Sequence, residues 1–251
     1  LPFLFGFLPI TLAIYFAVPL RWRNLALLLA SLVFYGWGEP VYISIMVLSI
    51  LIDYTHGLLV EKYRSRDKLA RWFVAESMIL NLGLLGFFKY WDFFAANLSL
   101  IPGISIPTLG LPLPIGISFF TFQTMSYTID VYTGKIEKEK SFLQFALYLS
   151  FFPQLVAGPI VKASEFLPQL KENRKVTLAG LESGIQIFVF GMFKKVVLAD
   201  NISVFVDEVY RSPQIFGSGT VALAVAAYSI QIYMDFSGYS DMAIGCAKCM
   251  G

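Results

Sequence analysis

Residues 113–132, LPIGISFFTFQTMSYTIDVY, narrow the range of folds more than any other stretch. About 20 residues at roughly 1.5 Å rise match a hydrocarbon core about 30 Å thick, yet this run carries Gln123, Tyr127 and Asp130. Spaced i, i+4 and i+7, the three share one helical face. An ionisable group in an apolar span costs about 2.5–3.5 kcal/mol on insertion scales unless protein or water surrounds it. That face is therefore expected to look inward, either at hydrogen-bonding partners on other helices or at a wet cavity. A second polar stripe recurs near the end of the chain, where Tyr228, Gln231, Asp235 and Tyr239 interrupt VALAVAAYSIQIYMDFSGYSDMAIG.

Composition extends the membrane reading to the whole chain. Of 251 residues, 57% are hydrophobic and only 14% charged, and the mean hydropathy is +0.68. Soluble domains do not reach that apolar content. The expected fold is an all-α polytopic transmembrane bundle forming a single membrane domain over residues 1–251, with the lipid bilayer as its first partner. A net charge of +2 gives no nucleic-acid surface. No initiator Met or basic region precedes the first apolar run, and the chain stops at CAKCMG without a tail, so it is expected to be truncated at its end and at its front. Cys246 and Cys249 form a C-x-x-C, but the sole His, His56, is far away in sequence. No metal site is expected, and the thiols read as structural.

Apolar spans are expected at 3–20, 24–37, 41–60 and 72–88, followed by the aromatic border KYWDFF and a Pro-rich, uncharged segment. Arg21 and Arg23, the basic loop EKYRSRDKLAR, and Lys135, Lys138 and Lys140 all fall on one side, which places the N-terminus outside. Beyond Ser141 the alternation fails. Residues 142–152 are apolar for only half a membrane thickness and run into PQLVAGPI, where two Pro and a Gly stop a helix. Non-helical backbone at membrane depth is tolerated only inside protein or along a cavity, so residues 151–160 are expected to be re-entrant, an ordinary surface loop being the alternative. The basic, amphipathic VKASEFLPQLKENRKV comes next, then an apolar helix over 178–199 with Lys194 and Lys195 in its last turns.

LPIGISFFTFQTMSYTIDVY, FFPQLVAGPI, GMFKKVVLAD and YMDFSGYSDMAIG, in that order, resemble landmarks of the membrane-bound O-acyltransferases. The resemblance is to the bacterial branch that O-acetylates alginate or D-alanylates teichoic acid, and WRNLALLLASLVFYGW and LGFFKYWDFF fit it too. It implies the N-terminal part of a funnelled helical fold. Such a fold passes an acyl group from a cytoplasmic thioester, acetyl-CoA or a loaded carrier protein, to a hydroxyl of a polymer outside a bacterial inner (plasma) membrane. No bound cofactor is expected, whereas an acyl donor and an extracytoplasmic acetyl-transfer partner protein are implied. Family members rely on a pore His, read as general base, downstream of the segment matching YMDFSGYSDMAIG. That position falls after Gly251, and His56 does not match it, so no catalytic residue is expected here and the chain alone is expected to be inactive.

The candidates for a substrate path are Gln123, Tyr127, Asp130, Gln231, Asp235 and Tyr239. Asp235 is read either as orienting a catalytic His or an acceptor sugar, or as a lock between helices. Lys194 and Lys195 are candidates for the phosphates of the donor, interfacial snorkelling being the bland alternative. D-alanyl transfer is the near alternative function. A transporter or flippase is the alternative of a different class, since polar stripes on broken helices also describe a substrate path.

Overall fold

Pro112, Pro114 and Gly116 decide where the polar-striped helix begins. The structure, a computed structural model, describes residues 2–156, 158–172 and 176–251. In it Gly116 takes a left-handed φ of +77° against the Leu155 carbonyl, at a distance where no Cβ fits. The helix therefore spans Ile117–Thr133, 17 residues rather than the 20 expected, and Gly134, also at φ +77°, ends it.

The described residues contain helices and no strands, as expected of an all-α membrane bundle. They divide into two compact units, Leu1–Val156 with Ile160–Asn173, and Ala157–Pro159 with Arg174–Gly251. Ala157, inside the expected re-entrant element, and residues 173–175, late in the basic amphipathic segment, lie outside the described residues.

In the first unit a π-helical turn, Phe3–Phe7, leads into α1 (Leu8–Ala17), followed by α2 (Arg23–Gly38), α3 (Ile43–Lys62), α4 (Asp67–Leu98), α5 (Ile117–Thr133), α6 (Phe142–Ser150) and α7 (Ala163–Lys171). The helix expected at 72–88 is much longer, with 32 residues in α4. No proline interrupts it, so helix propagates through the aromatic border to Leu98. Its far end braces the Pro-rich segment: Asp92 accepts hydrogen bonds from Leu109 N (2.7 Å) and Gly110 N (3.0 Å), and Trp91 Nε1 donates to Pro107 O at 3.2 Å.

Helices α3, α4 and α5 pack on one another, and α6 packs on α2 and α3. Ser141 caps the start of α6, its hydroxyl accepting from Gln144 N at 3.4 Å. From Phe145 to Ser150 every side chain of this short helix is buried. The chain then leaves helical geometry while still inside the unit, since Phe151, Phe152, Gln154 and Leu155 are all buried. Phe152 N donates to Ser31 Oγ at 3.1 Å, which satisfies a backbone group that neither helix nor water would serve.

The second unit holds α8 (Leu178–Met192), a π-helical stretch Phe193–Ala199, α9 (Asp200–Arg211) and α10 (Ser218–Cys249). Thr177 caps α8 by accepting from Gly180 N at 3.1 Å. Helix α9 buries Val206 and Val209 and turns its charged residues outward. By length and composition α3, α4 and α10 are able to cross a membrane.

Candidate functional site

The second unit is built on a close contact between α8 and α10, and glycine makes it close. A Cβ on Gly191 would lie 2.6 Å from Gly238 O and 2.8 Å from Met242 N, and one on Gly245 would lie 2.6 Å from Gly184 O. Gly184 with Gly191, and Gly238 with Gly245, are each seven residues apart, two helical turns, so both contacts fall on one face of each helix. Cys249 lies in this seam with its Sγ 2.7 Å from the place of a Gly184 Cβ, and Cys246 is buried.

The seam carries the charges. Adjacent helical residues diverge by about 100°, so Lys194 and Lys195 reach different carboxylates of α10. Lys194 Nζ meets Asp241 Oδ2 at 2.6 Å and Ser237 Oγ at 3.0 Å, over the ring of Phe190. Lys195 Nζ bridges Asp235 Oδ1 at 2.6 Å and Asp200 Oδ1 at 2.8 Å. The two pairs differ in kind. Side chains of Lys194 and Asp241 are 19% and 25% exposed, so separating them strands a partly desolvated charge. Those of Lys195 and Asp235 are 37% and 51% exposed, in the range where an ion pair contributes only about 0–1 kcal/mol. Lys194 is thus a partly buried strut, whereas Asp235 keeps a half-exposed carboxylate whose paired cation, Lys195, is shared with Asp200. Of the other residues of the second stripe, Gln231 has a buried Oε1 without a hydrogen-bond partner, and Tyr239 is partly buried. For Lys194 and Lys195 as phosphate ligands the pairs set a condition: an anion has to displace carboxylates at 2.6 Å.

In the first unit the α5 stripe turns mostly to protein. Gln123 Nε2 donates to Tyr148 O at 3.1 Å, a carbonyl that also receives Gln154 Nε2 at 2.6 Å. Tyr127, wholly buried, accepts from Glu139 N at 2.9 Å and packs on Phe145. Asp130 stands at the helix end, 3.3 Å from Lys135 Nζ. A second polar group was not visible as a site in the sequence. The wholly buried Asp53 accepts at Oδ1 from Ser77 Oγ (2.8 Å) and Asn81 Nδ2 (2.7 Å), and Asn81 Oδ1 accepts from Thr124 Oγ1 at 3.2 Å. This ties α3, α4 and α5 together, and the signal for it was Ser77 and Asn81 at i, i+4 on an apolar helix. His56 Nδ1 lies 2.7 Å from Ile52 O, a local hydrogen bond of the structural kind.

The membrane-bound O-acyltransferase family model matches residues 119–251, which take in α5 from its third residue onward and all of α8 and α10. A peptidoglycan O-acetyltransferase of Helicobacter pylori is 38% identical over 274 aligned residues, covering 97% of this chain and 52% of that protein. The chain belongs to the membrane-bound O-acyltransferase family. Within the family it is also 36% identical to a probable alginate O-acetylase of Pseudomonas aeruginosa, over 99% of this chain and 48% of the relative. A teichoic acid D-alanyltransferase of Bacillus subtilis is 24% identical over 84% of this chain and 56% of that protein. The chain spans about half the length of the curated relatives it matches.

Proposed function

We propose that the protein containing this chain is a multi-pass enzyme of a bacterial inner membrane. It transfers acetyl groups from a cytoplasmic thioester, acetyl-CoA or an acylated carrier, to hydroxyls of an extracytoplasmic polysaccharide. The observation that carries this is the similarity, across nearly the whole chain, to proteins named for O-acetyl transfer to peptidoglycan and alginate. Its physical sense is that a charged thioester carrier cannot enter hydrocarbon, whereas a small neutral acyl group handed over inside a protein need not.

Asp235 serves in this reading as a positioning residue. Its half-exposed carboxylate, paired with Lys195 through Oδ1, accepts a further hydrogen bond from an acceptor hydroxyl or from the imidazole of a general base, while the Lys194–Asp241 strut keeps α10 in place. Gln231 and Tyr239 lie one turn to either side on the same helix, and Gln123, Tyr127 and Asp130 contribute the polar face of α5. Support for a re-entrant segment comes from the buried, non-helical run at Phe151–Leu155. An extracytoplasmic acetyl-transfer protein as partner follows from an acceptor that lies outside the membrane.

The test is transfer of radiolabelled acetyl from acetyl-CoA by the complete protein in vesicles, read as alkali-labile label on peptidoglycan or alginate. Ester label is expected. Label appearing only with a D-alanyl-loaded carrier protein and teichoic acid would favour the D-alanyl relatives, and none with any donor would overturn acyl transfer.

A further inference from the structure

Two apolar grooves join along α1 and α2. One, of about 530 Å³, runs past Thr11, Ile14, Tyr15, Val18, Trp22 and Leu29. The other, of about 610 Å³, runs past Pro2, Phe3, Gly6, Phe34 and Trp37. Phe7, Ile10 and Val33 line both, so the cleft is continuous from Trp22 to Trp37, most of the length of α2. Sixteen residues of helix correspond to about 24 Å, most of the depth of a hydrocarbon core. Ile10, Ile14, Leu29, Val33 and Trp37 are exposed along it.

At one end stand two cations. The Arg23 guanidinium lies 4.7 Å above the ring of Tyr15, and that of Arg21 5.7 Å from the ring of Trp22, and both rings line the groove. Arg23 Nε is buried with no acceptor, and no carboxylate among the described residues pairs with either arginine. The nearby cation has its own partner: Asn24 donates to Leu170 O at 2.8 Å, and the next residue, Lys171, pairs with Glu139 at 2.8 Å.

We infer that this cleft binds one anionic phospholipid, its phosphate on Arg21 and Arg23 and an acyl chain in the groove. Arg presents a rigid fork of N–H donors that suits a phosphate, and a buried N–H without an acceptor is costly unless something arrives to take it. Charge selects an anionic head over a zwitterionic one, and the unbroken apolar cleft selects a lipid over a free phosphate.

Native mass spectrometry of the complete protein, offered phosphatidylglycerol and phosphatidylcholine of equal chain length, tests this. Two basic groups near the head are expected to favour the anionic lipid about thirtyfold. That preference is expected to fall below about threefold in Arg21→Gln/Arg23→Gln and to weaken with salt in the parent protein. Gly6→Leu fills the groove at a position whose Cβ meets nothing within 4 Å, so it should lower retention of both lipids and leave the preference intact. Equal retention of the two lipids, no retention, an unchanged preference in the double variant, or displacement by glycerol phosphate as effective as by the lipid would each overturn the site. If the double variant does not fold, the salt series and Gly6→Leu decide.

Discussion

Gly191→Ala puts the α8–α10 seam to its most direct mechanical test. The added methyl would lie 2.6 Å from Gly238 O and 2.8 Å from both Asp241 Cβ and Met242 N. None of these is the far end of a flexible side chain. The helices must part by about 0.8 Å to restore ordinary contact, and a gap of 0.5–1 Å forfeits roughly a quarter to a half of the dispersion well of each contact it opens. Overpacking of this kind costs about 1–3 kcal/mol, and immovable backbone puts Gly191 near the upper end. Alanine returns about 1 kcal/mol of helix propensity, so the net loss is about 2 kcal/mol. For a chain of this size that lowers Tm by about 4–8 °C, read by thermal unfolding in detergent with size exclusion as a check on assembly. Gly219→Ala is the control: nothing lies within 4 Å of its Cβ on the same α10, so its Tm should hold or rise slightly. If Gly191→Ala were as stable as Gly219→Ala, the close approach of the two helices would be refuted.

Three further substitutions probe other contacts. Asn81→Ala removes one of the two donors to the buried Asp53 and leaves Thr124 without that acceptor, so a loss of about 2–4 kcal/mol is expected in the same unfolding assay, whereas Asp53→Asn keeps an acceptor oxygen and should cost less. Thr177→Ala deletes the α8 cap and should cost about 1 kcal/mol, seen as faster amide exchange confined to the first turn of α8.

The membrane class was legible because it rests on apolar run lengths, which any packing arrangement must respect. Helix ends were less so. Nothing local in LGFFKYWDFF says whether α4 stops at the lipid border, and it continues because no proline stops it and because Asp92 and Trp91 find partners in the Pro-rich segment. The start of α5 is not legible locally, because its decisive contact, Gly116 with Leu155 O, is distant in sequence. At the site, Asp235, Lys194 and Lys195 stood out as charges in apolar helices. Their pairing did not, because it depends on how α8 and α10 face each other. The heptad glycines carried that information, but spacing alone does not say which two helices meet.

Turnover of Asp235→Asn in the complete protein tests the central claim, that the exposed pair with Lys195 leaves this carboxylate available for acyl transfer while Lys194–Asp241 holds the fold. Labelled acetyl transfer to polysaccharide should fall at least about tenfold, the loss of one positioned hydrogen bond of about 1.4 kcal/mol or more in the transition state, with Tm within about 2 °C of the parent. Undiminished transfer by a fully folded Asp235→Asn protein would contradict it.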